Sequence, residues 1–296
     1  MTGTTHSPAR ETTALALYDR TARDAAATVI AGYSTSFGLA CRLLGARPRP
    51  HVRSVYALVR IADEIVDGSA AAAGLDREAT REVLDDLEDE TLRAIDRGFS
   101  ANLIVHAFAL TARECGIGAD LVRPFFASMR ADLSTTVHDR ASHDTYVYGS
   151  AEVVGLMCLQ VFVNAGARHP VYPSRKLVDG ARRLGAAFQD VNFLRDRADD
   201  ESALGRDYLG VGSDRASHDA VLDRIDADLA AAALAVPLLP ADCRRAVTAA
   251  HDLFAELSAR LRVADASRER VRVPDSVKAR LAARAWLGLS PRGARA

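Results

Sequence analysis

Apolar residues recur at three- and four-residue intervals along almost the whole chain, as in "RSVYALVRIADEIVD" (53–67), "LIVHAFALTAREC" (103–115) and "RRLGAAFQDVNFLRDRADD" (182–200). That period places them on one face of a helix, whereas alternating runs bounded by turns, the mark of strands, are hard to find. The pattern is interrupted at Gly45 with Pro48 and Pro50, Gly68, Gly98, Gly116 with Gly118, Gly166 to Pro173, Gly205 to Gly212, Pro237 with Pro240, and Pro274. These breaks predict about eight to ten helices of ordinary length. No Gly/Ser-rich linker divides them, so the expectation is a single all-α domain over residues 1–296, with 1–14 and 288–296 as loose ends. No fixed-period repeat is present.

Composition narrows the function classes. With 49% hydrophobic and 26% charged residues, the 296-residue chain can bury a substantial core. A net charge of −1 leaves no global basic field to hold nucleic acid. Cys41, Cys115, Cys158 and Cys243 are scattered, with no CxxC pair, and read as reduced core residues. The N-terminus "MTGTTHSPARETTALA" has no basic region leading into an apolar one, and no stretch reaches about 18 uncharged apolar residues. The expectation is a cytoplasmic protein with no spanning segment.

Candidate chemistry lies in two acidic motifs. In "VRIADEIVDG" (59–68), Asp63 and Asp67 are four residues apart, on one helical face, with Arg60 one turn before them. Such a pair taken alone is an ordinary solvated face. The pattern returns in "QDVNFLRDRADD", where Asp196 and Asp200 repeat the spacing, with Asn192 one turn before and Gln189 further back. If both helices border one cavity, the acids form a cluster of oxygen donors whose charge calls for a hard divalent cation. Mg²⁺, with Mn²⁺ as an alternative, suits such ligands and commonly shares them with substrate phosphates, so a diphosphate is the expected ligand. Arg60, Arg195, and Arg206 and Tyr208 of "GRDYLG" (205–210) are placed to take up a leaving group's charge.

At this point the stretches "YSTSF" (33–37), "VYALVRIADEIVDG" (55–68), "MRADL" (129–133), "YVYGSAEVVGLM" (146–157) and "QDVNFLRDRADD...GRDYL" (189–209) resemble, in order and spacing, the squalene and phytoene synthase family over about residues 15–265. The resemblance implies an isoprenoid-synthase-like helical bundle with a central cavity. It also implies that Asp63, Asp67, Asn192, Asp196 and Asp200 bind Mg²⁺ ions that ionise an allylic diphosphate. Gln189 and Ala151 then lie by the substrate, and Ser34, Ser36 and Phe37 contact diphosphate and close one end of the pocket. Tyr56 and Arg60 are diphosphate-side residues, Tyr146 faces the carbocation or departing diphosphate, and Arg206 and Tyr208 belong to a flap. Family enzymes join two prenyl diphosphates head to head through a cyclopropylcarbinyl diphosphate. Proton loss gives phytoene or dehydrosqualene, and hydride from NADPH gives squalene.

Some positions depart from that pattern. Glu152 follows Ala151 where the family has glycine, and pairing with an arginine on a neighbouring helix is favoured over a catalytic role. The flap ends in Gly210 instead of proline, and "SRERVRVPDSVK" (267–278) lacks the tyrosine of many members. "GVG" (210–212) has no third glycine or preceding strand, so it is a turn, and NADPH is not expected. His138 and His143, near Asp139, read as a polar helix end, and "AAAAG" (70–74) as a loop or helix start. The balance points to two geranylgeranyl diphosphates giving phytoene, with a farnesyl-based product or a terpene cyclase as alternatives. A catalytically silent scaffold fits the intact acid pairs poorly. A lipophilic product and the basic tail "SPRGARA" (290–296) predict peripheral membrane contact. The sequence sets no oligomeric state.

Overall fold

The computed structural model describes residues 8–135, 138–199, 209, 215–263 and 271–293. Among them there is no strand. Thirteen α-helices follow one another: α1 (Pro8–Tyr33), α2 (Thr35–Arg42), α3 (Arg49–Val66), α4 (Ser69–Ala72), α5 (Arg77–Arg97), α6 (Leu103–Cys115), α7 (Ala119–Asp132), α8 (Arg140–Val147), α9 (Val153–Asn164), α10 (Arg175–Asp199), α11 (Arg215–Ala233), α12 (Ala241–Val263) and α13 (Asp275–Trp286). The count exceeds eight to ten in part because the chain between α1 and α2 and that between α7 and α8 contain no Gly or Pro. Ser34, extended at φ −141°, ends α1 and caps α2 by accepting the Phe37 N–H at 3.0 Å. A π turn, Tyr148–Glu152, separates α8 from α9 within one continuous helical run. Where glycine marked an end, the ends are real: Gly98 and Gly116 close α5 and α6 at φ 80° and 75°, the left-handed conformation other residues rarely adopt.

Two apolar clusters face one another. One joins α3, α5, α6, α7 and α9 around Leu58, Leu84, Phe108, Phe125 and Met157. The other joins α10, α11 and α12 around Val191, Leu222, Ile225 and Leu257. Each such side chain contributes roughly 1.5–3 kcal/mol by leaving water. Helix α1 is tied on by Ala22 and Ala26 against Ala57 and Ala107, and by Asp19, 2.8 Å from His106 Nε2. The expected loose ends are structured where described: α1 begins at Pro8, and the Arg292 N–H donates to Asp252 Oδ1 at 2.8 Å.

All four cysteines are free, and burial pushes Cys115, Cys158 and Cys243 up to about 12. His143 is not a polar end. Although Asp139 caps α8, His143 lies inside that helix, buried, with Nε2 3.0 Å from Asp190 of α10, which Arg224 also holds. The run Arg140–Asn164 is long and apolar enough to cross a membrane by length and composition, although Asp144 and Glu152 interrupt it, so that no 18-residue uncharged stretch is present there. Here it packs on α7 and α10, burying Val153, Met157 and Val161 in the core.

Candidate active site

Between the two clusters lies a cavity of about 1070 Å³. Helix α10 lines its length, from Leu177 to Asp196, a span of about 28 Å at 1.5 Å per residue. That helix runs very close to the π turn: a Cβ on Gly185 would stand 2.7 Å from the Ala151 carbonyl oxygen, and one on Gly155 would stand 2.7 Å from that of Ala181. The glycine of "YGSAEVVG" at 155 is therefore a packing residue. One end of the cavity is polar and acidic. The other, under Ala232, Ala235, Val236 and Leu239, is apolar.

The acidic end is built from three helix C-termini. Asp63 lies in the last turn of α3, and Asp67 is its C-cap, exposed, with its N–H donated to the Asp63 carbonyl at 2.8 Å. Asp132 is the last residue of α7, and Asn192 and Asp196 lie in the last turns of α10. All five line the cavity. A helix C-terminus carries roughly half a negative charge, so placing acids there is doubly unfavourable unless a cation arrives. Asp63 shows the cost: burial above all, then Asp67, opposed by Arg60 but aided by Asp132, raises its carboxyl from 3.8 to about 8.

Gln189, Asn192 and Asp196 form one stripe on α10, and Ser34, Phe37, Tyr56, Arg60, Tyr146 and Ala151 also line the cavity. Phe37 sits among aromatic rings, 6.3 Å from Tyr56, 6.4 Å from Phe188 and 6.3 Å from Phe254. Ser34 spends its hydroxyl oxygen on the α2 cap. Asp200, Arg206 and Tyr208 lie outside the described residues, as do Gly210 and the "GVG" turn, and of Ser36 only the backbone position in α2 is described.

Several of these side chains are already engaged with one another. Arg195 lines the cavity already engaged: Nε and Nη2 donate to Asp196 of the same helix at 2.9 and 2.6 Å. Arg60 donates to Glu64 and lies 4.7 Å from the Tyr33 ring centre, so it is pre-engaged as well as facing the cavity. Tyr146 donates its O–H to both carboxylate oxygens of Asp132, at 2.9 and 2.8 Å, with both residues buried. Asp132 is the site residue that sequence reasoning missed; its one signal was an acid closing an apolar helical run in "MRADL". Glu152 pairs with Arg182 at 2.5 Å, the reading favoured above.

The donor set suits a hard cation that completes its shell from a ligand. Among the described residues no three acidic, histidine or cysteine side chains enclose a metal ion by themselves. Carboxylates and an amide spread around one cavity end, with one acid raised to about 8, are oxygen donors that a Mg²⁺ shared with phosphate oxygens would satisfy.

An all-helical bundle around a long, apolar, acid-capped cavity is of the isoprenoid-synthase class. Residues 30–211 match the family model described as squalene/phytoene synthase, and the chain belongs to that family. A phytoene synthase from Pseudescherichia vulneris is 32% identical over 192 residues, 63% of this chain and 59% of that protein. A 15-cis-phytoene synthase from a Paracoccus species is 28% identical over 271 residues, 84% of each. For the first of these curated relatives the match thus spans about three-fifths of its length. The crystal structure of a dehydrosqualene synthase in complex with ligand superposes with a TM-score of 0.74 at 22% identity, covering 90% of this chain and 96% of that one.

Proposed function

We propose that the protein is a prenyltransferase that condenses two prenyl diphosphates head to head (1'-1), and that its substrate is geranylgeranyl diphosphate and its product phytoene. The observation that carries this reading is the joining of Asp63, Asp67, Asn192 and Asp196 at one end of a long apolar cavity. Bound Mg²⁺, held by these residues and Asp200, supplies charge neutralisation for the departing diphosphate. The protein does the rest. The acid end orients the diphosphates, the apolar length holds the chains away from water, and Phe37, Tyr56 and Phe188 offer π faces to the developing allyl cation. That cation is attacked by the double bond of the second chain, with loss of a proton, giving a cyclopropylcarbinyl diphosphate. Its ionisation, rearrangement and loss of a further proton give the hydrocarbon.

Phytoene is favoured over squalene or dehydrosqualene by the curated relatives, several of which are phytoene synthases. The cyclase reading loses its main hint, because Glu152 is held by Arg182. Incubation with Mg²⁺ and farnesyl or geranylgeranyl diphosphate, with and without NADPH, followed by mass analysis of the organic phase, tests this. A C40 hydrocarbon absent from Asp63→Ala and Asp196→Ala is the expected result. A C30 product moves the substrate to farnesyl diphosphate, a cyclic C15 or C20 product makes it a cyclase, and no diphosphate release from any donor removes the enzymatic reading.

A further inference from the structure

The apolar end of the cavity lies directly beneath one pole of the molecule, away from the acids. Four segments build that pole: the connection 165–174, the turn 234–240, the first turn of α12 and the C-terminal end of α13. Short contacts fix them together. Arg47 donates to the Ala165 carbonyl and to Asp242, each at 2.9 Å, and Arg244 donates to the Leu239 carbonyl at 2.6 Å. A Cβ on Gly180, in the second turn of α10, would meet that of Ala235 at 2.3 Å, and the Arg245 guanidinium lies 5.8 Å from the Trp286 ring centre.

This pole concentrates exposed apolar surface. Tyr172 is 96% exposed, Leu287 69%, Trp286 61% and Leu234 60%, and Leu238 and Leu289 add to them. Exposed basic residues stand among these: Arg168, Arg175, Lys176, Arg244 and Arg245. Of the acids at this pole, Asp242 is held by Arg47, Glu114 accepts the Gly166 N–H at 2.9 Å and lies 3.4 Å from His51, and Asp179 stands 3.9 Å from Arg175. Projecting aromatic and aliphatic tips ringed by cations match the headgroup layer of an anionic bilayer, where the rings enter the interface and the cations meet phosphate. A second copy of this chain fits less well, since a two-fold contact would set this positive face against itself.

We propose that this pole docks on an anionic membrane surface, with Trp286, Leu287 and Tyr172 at headgroup depth. Val236 and Leu239 line the cavity on the inner side of the same turn that carries Leu234 and Leu238 outside. A long apolar chain would cross only that turn between cavity and lipid. The docking rests on the exposed face and not on the proposed reaction, so each can fail alone.

Trp286 is the only tryptophan of the chain, which makes the test direct. The full-length protein is mixed with vesicles of phosphatidylcholine alone, or with added phosphatidylglycerol, while co-sedimentation and tryptophan emission are followed. Binding to the anionic vesicles, weakened by salt, with a blue shift and quenching by bromine-labelled lipid chains, is the expected result. The double variant Lys176→Glu/Arg245→Glu should bind at least about tenfold more weakly, since each basic residue near the surface contributes comparably. Leu238→Ser/Leu287→Ser should bind weakly as well, with circular dichroism showing both variants folded. No binding to anionic vesicles, binding with Trp286 unquenched, or unchanged variants would overturn the proposal. A concentration-dependent dimer abolished by both variants would assign the face to a second copy instead.

Discussion

Asp63 is the residue with the clearest physical signature. Burial and the neighbouring Asp67 push its carboxyl from the ordinary value of 3.8 up to about 8 in the fold. Between these values the native state holds a proton that the unfolded chain has lost, so this group's contribution to stability falls as pH rises from about 4 to about 8. Asp63→Asn removes that slope. Its melting temperature should match the parent near pH 4 and exceed it by several degrees above pH 8, while prenyl-diphosphate turnover drops by about 100-fold or more. Equal melting temperatures across the range would show that Asp63 ionises normally. Tyr146→Phe makes the opposite case. It leaves buried Asp132 without both hydrogen bonds, and urea unfolding should show a loss of about 1–3 kcal/mol.

At the scale of elements, the site depends on how closely α10 approaches the π turn. Gly185→Val would drive a side chain into the Ala151 carbonyl, within van der Waals distance already at Cβ. Separating the two elements should cost about 1–3 kcal/mol and widen the cavity wall, read by thermal unfolding and by a raised KM. The neighbouring pair of Glu152 and Arg182 is partly exposed and so worth little, about 1 kcal/mol at most. Glu152→Ala should therefore leave the product unchanged. A new product from that variant would return Glu152 to the chemistry.

On the scale of the whole molecule, the cavity separates charge from grease along its length, and its apolar end sets how long a chain it accepts. Ala232 is buried beneath that end, and Ala232→Phe should reduce use of a C20 diphosphate far more than a C15 one, measured as the ratio of kcat/KM. A uniform loss would place the chain terminus elsewhere.

Much of this was legible in the chain. Apolar spacing alone determines the all-helical class, since a 3.6-residue period can bury its stripe only as a helix. The repeated four-residue spacing marks Asp63, Asp67, Asn192 and Asp196 as candidates for one oxygen-rich site, and the fold brings α3 and α10 to line one cavity. Tertiary structure decided what depends on neighbours far away in sequence. That Asp132 joins the acidic end and takes the Tyr146 hydroxyl, that Arg195 turns back on Asp196, and that Glu152 finds Arg182 are outcomes of helix packing. The same holds for the break at Ser34, for the loose C-terminus pinned to Asp252, and for the apolar-basic pole, whose residues lie on four segments. A helical period states which face of each segment is buried. Against which other face it is buried is settled only when the side chains interlock.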